Sequence, residues 1–367
     1  MGYGGRVIRW REGTVTAVRR QWHGAVEVDV DVVARTGDDP ATVPALAYPA
    51  LVGEPTVGDR VLLNVSAVAL GLGTGGYALV VALPDRLPPD TTTPGHVVKA
   101  RYTPLQPVVL GVDEESSPHR DIMLAAADLG GMPVVVADLH SALPAVLAGV
   151  HASRPGARVA YVMTDGGALP AWFSRTLGGL RGHLAGVVTV GQAYGGDLEA
   201  TNVHGGLLAA RHVLGAEVTV VTQGPGNLGT GTAWGFSGTA AGEAVNAIAA
   251  LAGRPVGSLR ISGADARGRH RGVSHHCLTA YGRVALAAAD LVVPAGLAEP
   301  LASDVAASVE PLTARHKLVS VDTTGLDSAL RASPVPLSTM GRGLDADHAY
   351  FIAAAAAGRH AAALLDT

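Results

Sequence analysis

Short apolar runs that end in polar, glycine-rich corners recur through the middle of this chain. The runs are Val134–Ala137, Val159–Met163, Ala185–Val190, Val218–Val221 and, more weakly, Leu259–Ile261. Strands that are buried on both faces of a parallel sheet read as continuous apolar runs. Ligands of such sheets bind beyond the carboxyl ends of the strands. The pattern therefore predicts a mainly parallel sheet with a site at the edge where the polar corners lie.

Segments with helical patterns alternate with these runs. They cover 141–153, 172–182, 201–214, 239–253, 277–289 and 346–365. Further apolar runs add strands at Pro107–Val112, Leu291–Val293 and Leu318–Val321. Alternation of this kind is typical of a parallel sheet covered by helices. We therefore predict an α/β fold for residues 96–367.

The first 95 residues follow a different pattern. Thr14–Val18, Ala25–Val33, Arg60–Val65 and Tyr77–Val81 are short, partly alternating and rich in β-branched residues. Strands without helices between them favour a small all-β barrel or sandwich. The proline- and threonine-rich stretch 87–95 places a domain boundary there, so we predict domains at 1–95 and 96–367. The segment 99–106 then serves as a connecting strand or as an arm that reaches the site.

Composition and charge narrow the function classes. With 367 residues, 48% of them apolar, the chain can bury a large core. A net charge of −4 argues against nucleic-acid binding through a basic surface, because contact with phosphates needs clustered cations. Cys277 is the single cysteine, which fits a reducing compartment, and the first ten residues lack the apolar core of a signal peptide. No run reaches about 18 uninterrupted apolar residues. We expect a cytoplasmic protein with no membrane partner, and the oligomeric state stays unknown.

A glycine-rich loop follows the fourth apolar run and has the G-x-G-x-x-G spacing. Backbone N–H groups in such a loop can bind anionic oxygen. A chain with 48 glycines holds about one such match by chance, and no acidic residue ends a strand at the distance that dinucleotide binding needs. We expect a loop that binds a phosphate or carboxylate, with a purely structural turn as the alternative. Its candidate ligand-binding residues are Thr222, Gln223, Gly224, Gly226, Asn227 and Gly229.

Acidic and histidine residues follow the first two strong runs. Asp138 and His140 close the first run, and residues two apart at a strand end can point to the same side. Asp165 ends the next run. These groups are candidates for acid–base catalysis, and with His275 and His276 they could form a carboxylate–imidazole metal site. Helix capping is the structural alternative for both aspartates. Since no known zinc spacing is present, we assign no metal and leave the cofactor unknown.

The densest polar stretch of the chain is 265–276, which holds three arginines and three histidines. Arginine binds carboxylate and phosphate through paired N–H groups, and histidine can transfer protons near neutral pH. Arg269 and Arg271 are therefore candidate ligand-binding residues, and His275 is a candidate catalytic residue. A solvated basic loop is the alternative.

Several longer runs resemble a bacterial family that is catalogued only as a domain of unknown function. The resemblance covers nearly the full chain. It implies a bacterial protein of two domains, and it offers no catalytic residue that could be carried over to this chain. The runs that carry it are Arg60–Asn64, Gly71–Tyr77, Val98–Leu105, Gly131–Leu143 and Gly224–Gly238.

These observations predict an enzyme that binds a small anionic molecule beyond the strand ends of its α/β domain. Hydrolysis or group transfer fits better than hydride transfer, because the dinucleotide signature is incomplete. Two alternatives stay open. One is a non-catalytic ligand sensor or protein-interaction scaffold, and the other is a metal-dependent hydrolase.

Overall fold

A computed structural model describes residues 7–34, 40–73 and 75–367 of the chain. The first six residues of the stretch considered for a signal peptide lie outside the described residues. Two compact units make up the fold: Met1–Thr93 with Ala100–Pro107, and Pro94–Lys99 with Val108–Thr367. The chain therefore passes between the units three times. Whether they act as two domains, 1–95 and 96–367, stays a prediction.

The first unit holds a closed five-stranded barrel. Its one-turn helices are α1 (Pro49–Val52) and α2 (Ser66–Ala69). Its strands are β1 (Trp10–Trp22), β2 (Ala25–Val32), β3 (Thr42–Ala47), β4 (Arg60–Asn64) and β5 (Ala78–Ala82). The strand order is β1-β2-β3-β5-β4, with all neighbours antiparallel except β3 and β5.

Every second side chain of the strands points inward and fills the interior of the barrel. Val26, Val28 and Val30 on β2 point inward, as do Val61 and Leu63 on β4. A strand that buries every second residue is what a small closed barrel requires. The all-β prediction for this part of the chain is confirmed, and the sheet is a barrel rather than a sandwich.

The second unit begins with a small antiparallel hairpin of β6 (Val97–Val98) and β7 (Val108–Val109), followed by α3 (Arg120–Ala125). The strand predicted over Pro107–Val112 is present only in part. Val108 and Val109 pair with β6, and Gly111 forms a single parallel bridge with Glu199 at the edge of the main sheet.

Eight parallel strands form the main sheet. They are β8 (Pro133–Val136), β9 (Val159–Thr164), β10 (Gly186–Thr189), β11 (Leu198–Glu199), β12 (Val218–Gln223), β13 (Arg254–Ser258), β16 (Asp290–Pro294) and β17 (Lys317–Val321). Their order is β11-β10-β9-β12-β8-β13-β16-β17. Every residue of β8, β9 and β12 is buried, as expected for central parallel strands. The two short hairpins outside the sheet are β14 (Ile261–Ser262) with β15 (Gly272–Val273), and β18 (Ser338–Thr339) with β19 (Arg342–Gly343).

Helices cover both faces of this sheet. On one face lie α4 (Leu143–Ser153), α5 (Arg175–Leu180), α10 (Leu326–Arg331) and α11 (His348–Ala363). On the other lie α6 (Val203–His212), α7 (Ala240–Ala250), α8 (His275–Thr279) and α9 (Leu301–Val309). A π-helical turn over Ala280–Val284 follows α8. The α/β prediction is confirmed. In the described part of the chain, no helix is both long and apolar enough to cross a lipid bilayer.

The sheet strand expected at Leu259–Ile261 lies a few residues earlier, at β13. Its sequence starts with Arg254-Pro255, and a side chain at Gly257 would collide with Leu291. A strand that contains proline and glycine at these positions is not a continuous apolar run, so the sequence pattern does not predict it. The run that we identified instead covers the turn after β13 and the first residue of β14.

Candidate functional site

Four neighbouring strands of the main sheet end in polar side chains. In sheet order, β9, β12, β8 and β13 lead to Thr164, Gln223, Asp138 and Arg260. All four residues are buried. β12 lies between β9 and β8, and the chain then runs through α7 to β13 on the other side of β8. The direction in which the chain crosses the sheet therefore changes at these strands. This is the position where α/β sheets bind ligands.

A small cavity lies at the carboxyl ends of β8, β9 and β12. It has a volume of about 10 Å³, which is the room that a single water molecule needs. Asp138, Thr164 and Gln223 line it together with Gly238 and Ala241, near the start of α7. The cavity thus brings together polar residues from three adjacent strands.

Hydrogen bonds fix the Gln223 side chain. Its Nε2 donates to the carbonyl oxygen of Asp138 at 2.7 Å and to Asn227 Oδ1 at 3.1 Å. Ser237 Oγ also donates to Asn227 Oδ1, at 2.8 Å. With its nitrogen engaged in this way, Gln223 keeps Oε1 as an acceptor without a partner among the described residues.

Asp138 is a carboxylate almost removed from solvent, with 4% of its surface exposed. Its Oδ2 lies 3.7 Å from His276 Nδ1 and 3.8 Å from Arg260 Nη1. Neither distance is a hydrogen bond, and Oδ2 has no partner within the described residues. A buried carboxylate oxygen left in this state is costly unless a ligand or a small rearrangement satisfies it.

Arg260 joins Asp138 to a larger network of charges. Its Nη2 lies 3.4 Å from Asp265 Oδ2, which also binds Arg267 at 2.8 Å and Arg342 at 3.3 Å. Hydrogen bonds from Arg267 hold the pKa of Asp265 well below its usual range, against the opposing effect of burial. Arg342 continues to Asp347 at 2.9 Å. The network positions Arg260 next to Asp138.

Three histidines form a cluster, and one of them, His276, lies beside Asp138. His270, His275 and His276 each offer a ring nitrogen, and these nitrogens lie within 4.8 Å of one another. The ring of Phe236 stacks on His276 with centroids 3.8 Å apart. Burial and the charge of Arg260 lower the pKa of His270 to about 3, and burial likewise lowers the pKa of His275. The three imidazoles therefore form one cluster next to the carboxylate.

The structure separates His140 from Asp138. Tyr161 Oη lies 2.9 Å from His140 Nδ1, and Ser174 Oγ lies 2.7 Å from its Nε2. Burial lowers the pKa of His140 to about 4. Both ring nitrogens are therefore occupied, and none of these partners is shared with the Asp138 side chain.

Asp165 lies on the surface at the end of β9. Its Oδ2 accepts the backbone N–H of Gln192 at 2.8 Å, which ties the corner after β9 to the corner after β10. A side chain on Gly191 would overlap with this carboxylate. The hydrogen bond stabilises the two loops against each other, and the structure does not bring Asp165 to Asp138.

The loop 222–229 is held mostly by the protein itself. Thr222 Oγ1 lies 2.8 Å from Tyr161 Oη, and the Gly224 N–H donates to the Thr164 carbonyl oxygen at 3.2 Å. Gly226 adopts a φ of +91°, which favours glycine, and is exposed like Gly229. The loop then closes a hairpin with Phe236 before α7 begins, so it does not open directly into a helix.

Arg269 and Arg271 are exposed on either side of buried His270. A Cβ on Gly231 would lie 3.8 Å from Arg269 Nη2, so Arg269 reaches the hairpin that follows the 222–229 loop. These arginines place positive charge at the surface next to the histidine cluster.

The sequence interpretation missed Thr164 and Arg260, named His276 only as a possible metal ligand and did not select His270. Thr164 is the last residue of an apolar strand, which could have marked it. The two histidines stand in the polar stretch 265–276 that had drawn attention. Arg260 gave no signal, because it sits between two apolar residues, Leu259 and Ile261.

These features define a class of protein, a helix-covered parallel α/β fold with a polar carboxyl edge in a chain that also forms a closed β-barrel. The chain belongs to the family described as "Protein of unknown function (DUF3866)", whose model matches residues 44–358. The resemblance to a domain of unknown function is thereby confirmed. No curated protein and no solved structure matches the chain.

Proposed function

We propose that this protein is a hydrolase that acts on a small anionic molecule at the carboxyl ends of β8, β9 and β12. One observation carries the proposal. Within the described residues, the buried side-chain atoms without a hydrogen-bond partner all belong to this edge: Asp138 Oδ2, Thr164 Oγ1, Gln223 Oε1, His275 Nε2 and His276 Nδ1. Each such atom costs about 1–3 kcal/mol. Their concentration in one place supports a ligand site.

The chemistry of the cavity favours hydrolysis over group transfer. A cavity of about 10 Å³ holds one water molecule. Gln223 Oε1 can accept a hydrogen bond from that water, and Thr164 Oγ1 can donate one to it. Asp138 acts as the general base: it takes a proton from the water as the water oxygen attacks the substrate, and the proton passes to the leaving group.

Positive charge at the surface supports an anionic substrate. Arg269 and Arg271 are exposed beside the cluster, where paired N–H groups can bind a phosphate or carboxylate. The exposed glycines Gly226 and Gly229 can bring backbone close to the same group. The proposal assigns no catalytic role to His140 or Asp165. It keeps the cytoplasm as the compartment because a single, buried thiol fits reducing conditions.

Asp138→Asn tests the proposal, because it keeps the size of the side chain and removes the base. On a panel of phosphate and carboxylate esters, we expect kcat/KM to fall about 100-fold or more. Asp121→Asn, at an exposed position of α3, is the matched control and should keep full activity. Thermal unfolding with each panel compound measures binding separately, since a ligand of the native state raises the melting temperature.

Two outcomes would contradict the proposal. If Asp138→Asn hydrolyses the esters at the wild-type rate, Asp138 is not the general base. Binding of an anion without any turnover favours a ligand sensor instead of an enzyme. A panel that neither stabilises the protein nor is hydrolysed would end the anionic-substrate hypothesis.

A further inference from the structure

We propose that His270, His275 and His276 bind one divalent transition metal ion of the zinc type through one ring nitrogen each. The three residues come from one short segment that begins just before β15 and ends in the first turn of α8. Imidazole nitrogen is a preferred ligand of Zn²⁺. The inference deepens the proposed function and rests on it for the role of the metal, whereas metal binding itself can be measured without activity.

The distances suit a metal after small side-chain movements. Zn–N bonds of about 2.0–2.1 Å in a tetrahedral site place the nitrogen ligands about 3.3 Å apart. The candidate nitrogens in this structure lie within 4.8 Å of one another. Rotations that close about 1.5 Å are within reach of imidazole side chains, whose terminal torsion is broad.

Neighbouring oxygen atoms face the Nδ1 atom of two of the rings, which leaves the Nε2 atoms of these rings for a metal. Ser274 Oγ lies 2.8 Å from His270 Nδ1, and Asp138 Oδ2 lies 3.7 Å from His276 Nδ1. Metal-bound histidines usually donate their other ring N–H to an oxygen, and carboxylates are frequent partners. Asp138 is therefore a positioning residue for His276.

Three buried polar atoms without a hydrogen-bond partner lie within the cluster or beside it. His276 is 6% exposed and Asp138 is 4% exposed, and His276 Nδ1 and Asp138 Oδ2 have no hydrogen-bond partner among the described residues. His275 Nε2 is buried and also unpartnered. Stacking on Phe236 fixes the plane of the His276 ring. A metal would draw the three rings together and close the gap between His276 and Asp138.

Three protein ligands leave a fourth coordination position open. That arrangement is typical of catalytic zinc, whereas structural zinc takes four protein ligands. A metal in this position would supply a Lewis acid to the water and to the anionic substrate beside Asp138. The π-helical turn directly after α8 fits this assignment, since such turns are frequent at functional sites.

The test is a metal titration of the purified full chain after treatment with a chelator. Zn²⁺ binding is followed by calorimetry, and Co²⁺ binding by its visible absorption, which reports coordination by nitrogen. We expect one equivalent of metal per chain and a higher melting temperature with metal. His270→Ala and His276→Ala should each lose the stoichiometric site, and Asp138→Asn should weaken it about 10- to 100-fold.

His204→Ala is the matched control, because His204 is an exposed histidine on α6 outside the cluster. It should bind one equivalent as the wild type does. Circular dichroism verifies that each variant is folded. If His270→Ala or His276→Ala does not fold, the Co²⁺ absorption of the wild-type protein tests the site instead. Co²⁺ bound by three histidines in this site should give a tetrahedral spectrum. An absence of stoichiometric binding, or binding that His270→Ala and His276→Ala leave unchanged, would overturn the inference.

The metal site and the hydrolase proposal can fail separately. Stoichiometric metal without hydrolysis of any panel ester supports the metal site and contradicts the hydrolase. Hydrolysis that persists in a metal-free protein, with no binding of Zn²⁺, supports Asp138 as a base and contradicts the metal site.

Discussion

Asp138 and Asp265 are both buried next to Arg260, yet the two carboxylates are held differently. Asp265 binds three arginines and has the lowered pKa of a structural ion pair. Asp138 Oδ2 has no hydrogen bond among the described residues and faces a histidine and a cavity. A carboxylate that the fold could satisfy but does not is the better candidate for chemistry.

At the scale of single residues, His140 gives the first prediction. An ordinary histidine titrates near pH 6.5, whereas burial lowers the pKa of folded His140 to about 4. Between these values the unfolded chain takes up a proton that the folded chain does not, so stability falls as the pH falls from 6.5 to 4. His140 should contribute up to about 1.4 kcal/mol per pH unit to this slope.

His140→Gln removes the titrating group. Denaturant unfolding at a series of pH values should show a shallower loss of stability in this variant than in the wild type over that window. His204→Gln, at an exposed position of α6, is the control. Equal slopes in wild type and His140→Gln would show that His140 does not stay neutral in the folded protein.

The sequence could predict the residues of the site that directly follow an apolar strand. Asp138 and Gln223 are of this kind, because the ends of β8 and β12 are visible in the pattern. Arg260 and His276 could not be placed in this way. They reach the edge because the segment after β13 forms the β14–β15 hairpin and then α8, and this path depends on tertiary packing.

At the scale of elements, the same contrast holds for the strands. β8, β9 and β12 were predictable, since each buries all of its side chains, and β10 was predictable from its apolar run although half of its residues are only partly buried. β11 has only two residues and β3 contains a proline, so neither carries a clear pattern. Propensity and periodicity fade where an element is short or where backbone pairing decides its position.

The contact between α4 and α11 gives a prediction at this scale. A Cβ on Gly358 would overlap with the backbone carbonyl oxygen of Val146, and one on Gly149 would overlap with that of Ala355. The helices therefore pack backbone to backbone at these glycines. Gly358→Ala should destabilise the protein by about 1–3 kcal/mol through overpacking, even though alanine has the higher helix propensity.

Urea unfolding measures the effect. Gly156→Ala is the matched control, because a Cβ there meets no atom within 4 Å, and it should change stability by less than about 0.5 kcal/mol. A Gly358→Ala variant as stable as Gly156→Ala would mean that the two helices can move apart at no cost.

At the scale of the whole molecule, the chain path does not follow a single cut between two domains. The segment Pro94–Lys99 belongs to the second unit, whereas Ala100–Pro107 belongs to the first. Lys99 shows why the first of these segments matters to the second unit. Its Nζ donates to the carbonyl oxygens of Ala193 and Ala200 at 2.9 and 2.8 Å, and it lies 3.3 Å from Glu199 Oε2.

This buried pair predicts how the second unit tolerates truncation. Lys99 is only 1% exposed, and burial lowers its pKa and raises that of Glu199. A fragment of residues 96–367 keeps Lys99 and the strand β6, so we expect it to unfold cooperatively. A fragment of residues 108–367 leaves Glu199 without its cation and should be less stable by about 3–5 kcal/mol.

Lys99→Met in the full chain separates the effect of losing the lysine charge from the effect of losing strand β6. If the buried pair carries the effect, this variant should lose about as much stability in urea unfolding as the shorter fragment loses relative to the longer one. A neutral Lys99→Met with an unstable shorter fragment would assign the effect to the pairing of β6 with β7 instead. Equal stability of the two fragments would contradict the assignment of residues 94–99 to the second unit. The boundary predicted at 95 gains support only if the fragment of residues 96–367 folds on its own.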